Sequence, residues 1–299
     1  MIFLNLRTDL ALERHEISPG GKNDGILFKK YTSEGIDVTE IEVLNEKGEK
    51  VLDKPEGKYF TFEVTPFSRC SELFSSNELR AVSSCIKSLL PQSEETVLIA
   101  GLGNDEITAD SLGPKTASMI FSTRHIGESF SKSLGLGKIR SVASVSTGVL
   151  GKTGIETGEI IESIAQKIRP CAVITVDALA ARRLERLGTT VQISTSGIVP
   201  GSGVGNSRQK IDEETVGCPV ISIGVPMVVD ARTFVSDILS GCDEKIKSEA
   251  LSGIEEAITV THKDIDLVTE RASRLIAMSI NCALQPSLSP EEIFEIVSQ

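Results

Sequence analysis

From residue 96 onward the chain repeats one pattern: a short run rich in Val and Ile, a polar or Gly-bearing exit, then a helix-length stretch. The runs are TVLIAG (96–101), IRSVASV (139–145), CAVITV (171–176), TVQI (190–193) and PVISIG (219–224). Helical spacing falls between several of them, over 111–121, 156–167 and 178–187, and a long final helix is predicted over 263–284. Near-continuous apolar strands alternating with helices bury both faces of a sheet, which predicts a three-layer α/β/α domain with a mainly parallel sheet. Ahead of it, IDVTEIEVL (36–44) and KYFTFEV (58–64) alternate apolar and polar residues, as strands with one buried face do. They predict an N-terminal β-rich elaboration at about 36–64. Helical spacing over 71–90 stops at Pro91, and the polar stretch 1–35, with its Ser18-Pro19-Gly20-Gly21 turn, reads as a flexible arm.

Composition narrows the function classes. The 299 residues hold 31 Lys and Arg against 42 Asp and Glu, a net charge of −11, which argues against duplex DNA as a direct partner. Apolar residues make up 40%, enough to build a core rather than a disordered chain. No window approaches the ~18 consecutive apolar residues of a membrane span, and the start MIFLNLR lacks the basic opening and long apolar core of a signal peptide. A cytoplasmic location with no membrane partner is expected. Cys70, Cys85, Cys171, Cys218, Cys242 and Cys282 stand singly, and His15, His125 and His262 lie far apart. Reduced thiols are therefore expected, and neither a zinc site nor any other cofactor.

In an open parallel sheet, functional groups gather beyond the carboxyl ends of the strands. The first strand exits into GLGNDEITADSLGP (101–114), which fails the GxGxxG spacing of a dinucleotide loop but puts Asp110 at the mouth of a helix. CAVITV runs into Asp177, read as a carboxylate at the end of a buried strand, which must find donors or raise its pKa. By residue chemistry alone, Asp110 reads first as a helix cap, and Asp177 reads equally well as a cap or as a functional acid. If they converge, one carboxylate holds a proton beside the other, and the pair can activate water and protonate a leaving group. STSGIVPGSGVGN (194–206) and TGVLGKTGIET (147–157) are Gly-rich loops. Gly201, Gly203, Gly205 and Thr153 are their candidate substrate contacts, through backbone N–H groups and a hydroxyl; a plain connector reads equally well.

Taken together, RTDLALE (7–13), GLGNDEITADSLGP, GVLGKTGIET, VDALAAR (176–182), TVQISTSGIVPGSGVGN (190–206) and PVISIGVPMVVDA (219–231) resemble the germination protease family. These are the spore endopeptidases of spore-forming Gram-positive bacteria, and the matching stretches span most of the chain. The resemblance implies an endopeptidase that degrades small acid-soluble DNA-coating proteins in the spore core. It also implies a fold related to hydrogenase-maturation endopeptidases, a homotetramer and synthesis as a zymogen. The family's catalytic aspartates fall on Asp110 and Asp177. Self-processing falls at Asp9-Leu10, leaving 1–9 as a propeptide and 10–299 as a single peptidase domain. Ala109 stands where the family pattern has Pro, and Ser111 where Ala is usual. Two alternatives accompany this reading: a metallopeptidase of the same fold holding its ion with Asp110, Asp177 and Glu156, and a non-catalytic peptide-binding module.

Overall fold

The computed structural model describes residues 7–69, 76–126, 139–202, 208–254 and 258–298. Among the described residues, nine strands form one mixed sheet: β1 (Ile26–Ser33), β2 (Ile36–Val43), β3 (Gly57–Glu63), β4 (Val97–Leu102), β5 (Val142–Gly148), β6 (Ala172–Ala181), β7 (Thr190–Ser194), β8 (Val220–Asp230) and β9 (Thr259–Thr261). Their order across the sheet is β1-β2-β3-β7-β8-β6-β4-β5, with β9 paired to the far end of β8. The four strands β5, β4, β6 and β8 are mutually parallel. Strand β7 runs antiparallel to β8 and joins it to the antiparallel β1-β2-β3 unit. The N-terminal elaboration thus extends the same sheet, and it begins at Ile26, ahead of the expected position 36.

Three layers follow from the strand pleat. Val97, Ile99, Ile174, Val176, Ile221 and Ile223 pack against the helices Ser76–Leu89 and Ile265–Leu284 on one face. Leu98, Ala100, Leu102 and Val173 point the other way, onto Ile161 and Ala165 of the helix Thr157–Ile168. Beneath the antiparallel unit, Ile41, Val43 and Tyr59 meet Ala11 and Leu52, from the short helices Ala11–Ile17 and Glu46–Leu52. A further helix, Pro290–Val297, follows the long one that the sequence suggests as the last.

Two sequence expectations are corrected. Stretch 178–187 is not a helix: β6 continues through Ala181 and pairs with β8 as far as Val229, leaving only a 3-10 turn at Leu184–Arg186. The Ala-rich composition favours a helix, but pairing inside a doubly covered sheet overrides that weak preference. The N-terminal segment from Arg7 is not a free arm either. Leu10 and Ala11 are fully buried, and Glu13, also fully buried, anchors the segment. Its carboxylate accepts the N–H groups of Arg182 at 2.6 Å and Arg183 at 3.0 Å, just past the end of β6, and the hydroxyl of Thr8. A buried carboxylate is tolerated when every lone pair finds a donor.

Removing that anchor exposes its worth. Glu13→Ala leaves one buried and one partly buried backbone N–H without an acceptor and is expected to lower the unfolding free energy by about 3 kcal/mol. Glu46→Ala, which breaks only the exposed pair with Lys50, is expected to leave it unchanged; chemical denaturation of both variants provides the comparison.

Candidate active site

Strand β4 is buried along its whole length and turns at Gly103, whose φ of 111° suits glycine. The chain then descends through a 3-10 turn, Thr108–Asp110, into the helix Leu112–Ser118. That helix lies unusually close to the sheet. A Cβ on Gly113 would sit 2.2 Å from the Leu102 carbonyl oxygen and 2.4 Å from that of Val176, and one on Gly101 would sit 2.2 Å from the Gly113 carbonyl oxygen. The two glycines therefore let the loop carrying Asp110 press against β4 and β6, and so against Asp177. Asp110 accepts the N–H of Asn104 at 2.8 Å, which holds its carboxylate in place.

Asp177 does not end its strand. It is the sixth of ten residues in β6, with 6% of its surface exposed, and its Oδ1 accepts the following N–H, of Ala178, at 2.8 Å. The helix-cap reading of this acid is thereby removed. Burial pushes the Asp177 carboxyl well above the ordinary carboxylate range, and the charges of Asp110 and Asp9 push it further. Burial also raises Asp110, but the Asn104 N–H pulls back toward ionisation. The two acids are thus driven apart: Asp177 is the one that holds a proton, and Asp110 the one that gives it up more readily.

Both open into a cavity of about 1050 Å³. Its walls are the Asp110 loop, the turn at Val149–Gly151, the segment Ser196–Ser202, and the N-terminal stretch Arg7–Asp9. Asp9 lies inside. Its N–H donates to the Ala180 carbonyl at 2.8 Å, and its Oδ2 accepts the Ala180 N–H at 2.8 Å, so it sits along the last residues of β6. Its Oδ1 accepts the Ser202 hydroxyl at 2.7 Å. The Gln192 side chain bridges the next peptide: Nε2 donates to the Asp9 carbonyl at 3.1 Å, and Oε1 accepts the Ala11 N–H at 2.8 Å. Lys54 lines the same cavity; burial lowers its pKa, and the carboxylates of Asp9, Asp53 and Glu13 pull it back up. Across the mouth, the Lys152 ammonium contacts Asp105 at 2.6 Å and Glu106 at 2.9 Å, tying the 150–153 turn to the Asp110 loop.

The other expected contacts divide. Gly201 lines the cavity, whereas Gly203 and Gly205 lie outside the described residues. Thr153 is not among the lining residues: its hydroxyl bonds within its own turn, to Val149, Ile155 and the Ile155 N–H. Glu156 faces the cavity but pairs with Arg208 at 3.9 Å, and among the described residues no three His, Cys, Asp or Glu side chains are grouped to hold a metal ion. Burial raises the thiols of Cys218 and Cys282 to about 11 and that of Cys85 to about 12, and none of these cysteines lines the cavity. The sequence reading passed over Gln192, Ser202 and Lys54. Gln192 and Ser202 lie inside quoted motifs, but only the N-terminal segment seated beside them gives them a role.

The family model for germination protease matches residues 8–242. This chain belongs to the germination protease family. It is 40% identical to the germination protease of Caldanaerobacter subterraneus subsp. tengcongensis, with 99% of each chain covered. It is also 40% identical to that of Clostridium tetani, covering 97% of this chain and 98% of the relative. The Priestia megaterium germination protease is 38% identical, over 79% of this chain and 66% of its own. Among solved structures, a NiFe-hydrogenase maturation protease from Thermococcus kodakarensis KOD1 aligns at 17% identity with a TM-score of 0.36, over 66% of this chain and 98% of that one.

A peptidase of this family with a buried acid at its centre carries a stability cost that can be measured. Because the folded-state pKa of Asp177 lies above its unfolded value, the native state binds more protons between the two, and its stability falls as pH rises through that window. Asp177→Asn is therefore expected to raise the unfolding free energy at pH 7 by on the order of 1 kcal/mol or more, with the gain shrinking toward pH 4. Thermal melts of both proteins across that range read the sign directly.

Proposed function

We propose that this protein is a spore endopeptidase, made as a zymogen, that cuts its own chain between Asp9 and Leu10 and thereafter degrades small acid-soluble DNA-coating proteins in the spore core. In this reading residues 1–9 are the propeptide, and the mature enzyme works as a homotetramer of 10–299 domains. The observation that carries it is the pairing of a deeply buried Asp177 with Asp110 in the cavity where the Asp9 segment is seated. Asp110 accepts a proton from water as the water oxygen adds to the Asp9 carbonyl carbon. Asp177 gives its proton to the Leu10 nitrogen, and the carbon–nitrogen bond breaks. The pair ends with one proton, as it began, now on Asp110; its return to Asp177 resets the site. Ser202 and the Ala180 N–H, with Lys54 nearby, hold the acidic side chain before the cut.

Incubating the full chain with a small acid-soluble spore protein, with mass spectrometry of fragments and of the chain's own N-terminus, tests this. Asp110→Asn and Asp177→Asn should each abolish both cleavages, at least a 10³-fold loss, while circular dichroism stays native. Substantial cleavage by both variants overturns the carboxylate pair. Activity lost to a chelator and restored by added zinc transfers the chemistry to a metal.

A further inference from the structure

Gln192 stands in β7 directly across Gly224 of β8, and Asp177 stands in β6 directly across the same glycine from the other side. Residues paired in register project to one face of a sheet, and two strand spacings separate these two, roughly 10 Å between their Cα atoms. Gly224 keeps the position between them bare: a Cβ there would sit 2.5 Å from Leu179 Cγ and 2.8 Å from the Asp177 carbonyl oxygen. Sheet register thus places an amide donor opposite the buried acid, and both line the cavity.

The partners of that amide are specific. Its nitrogen donates to the Asp9 carbonyl oxygen and its oxygen accepts the Ala11 N–H, so it spans Leu10 from the carbonyl of the Asp9-Leu10 peptide to the N–H of the next one. A carbonyl can meet only the NH₂ end of a carboxamide and an N–H only its oxygen, so the two partners fix the orientation of the group. Gln192 is itself buried, 7% exposed, where water competes weakly for the bond.

We propose that Gln192 is a catalytic residue of the peptidase, the donor that stabilises the oxyanion formed on the carbonyl under attack. This rests on the reading that the Asp9-Leu10 peptide is a bond this site cleaves. As the water oxygen adds, the carbonyl oxygen takes the electron pair of the C=O bond, and its hydrogen bond to Nε2 strengthens. When the carbon–nitrogen bond breaks, the pair returns and the bond relaxes. No proton leaves Gln192. The same side chain, through Oε1, keeps the departing Leu10-Ala11 strand from drifting before Asp177 protonates the nitrogen.

Two variants separate the donor from the acceptor. Gln192→Glu, followed at pH 9 so that its carboxyl is ionised, retains an oxygen for the Ala11 N–H and loses the donor; Gln192→Met has a similar length and loses both. The full chain is followed for the first-order rate of appearance of the fragment beginning at Leu10. Chains that have processed are then assayed for kcat and KM on a synthetic peptide spanning residues 4–14. Loss of an oxyanion donor is expected to lower the self-processing rate and kcat by about 10²-fold or more in both variants, with KM little changed and native melting behaviour. A Gln192→Glu chain that processes at the wild-type rate, or a loss carried by KM alone, overturns the donor role. A wild-type chain that yields no fragment beginning at Leu10, or one cut at another bond, overturns the underlying cleavage reading instead. The two failures are therefore told apart by the wild-type N-terminus.

Discussion

A carboxyl group held in the middle of a strand buried at nine of its ten residues is the constraint around which the rest of this molecule is arranged. Asp177 is flanked in β6 by Ile174, Thr175, Val176 and Ala180, all buried, and is paired on one side with β8; the strand's other neighbour, β4, stops opposite Val176. The missing pairing beyond Gly101 is where the Asp110 loop crosses, and the close approach at Gly101 and Gly113 brings it in. Burial in such a place disfavours the ionised form and rewards a shared proton. A stability cost is thus concentrated at one position and offset by the apolar layers on both faces of the sheet.

The layers themselves were legible because their physics is local. Val and Ile runs of four to six residues separated by helical spacing can hardly fold otherwise, and the parallel part of the sheet follows from them. Asp177 also stood out, since an acid adjoining CAVITV has few places to go. What misled was the next four residues. Ala178, Leu179, Ala180 and Ala181 favour a helix in isolation, yet β8 offers them a partner over its whole length, and pairing decided. Read as a helix, the segment makes Asp177 a cap; as strand, it makes Asp177 a buried acid with no cap to serve.

Residues 7–17 hid for the opposite reason. The stretch RTDLALERHEI is mostly polar, and of its four apolar residues Leu10, Ala11 and Leu12 are buried while Ile17 is exposed. Nothing in such a composition predicts packing. Its anchor is a charge, Glu13, satisfied by backbone N–H groups about 170 residues away, and hydrogen bonds of that range leave no periodic trace in a sequence. Gln192 was invisible for the same reason. Its importance depends on strand register across Gly224 and on a segment 183 residues earlier reaching its side chain. The motif around it was conspicuous as a Gly-rich loop, which drew the reading to Gly201, Gly203 and Gly205 rather than to the strand before them.

Net charge shows how far an average can stand from a site. An excess of eleven acids describes a surface that repels phosphate, yet the cavity walls include Arg7, Arg14, Lys54, Arg208 and Lys210. Four of those cations pair with other carboxylates: Arg7 with Asp230, Arg14 with Asp53, Arg208 with Glu156 and Lys210 with Asp212. A cation beside Asp177 would hold it ionised and spoil it as an acid; what raises it is instead its own burial and two like charges, against the one pull of the Ala178 N–H. Lys54 reaches Asp9, Asp53 and Glu13, on the N-terminal side of the cavity, and is not among the groups that shift Asp177 or Asp110. Positive charge in the cavity is thus engaged by other carboxylates and does not act on the pair of acids. That division, more than the number of acids in the chain, lets burial raise both acids in a cavity whose walls carry five cations.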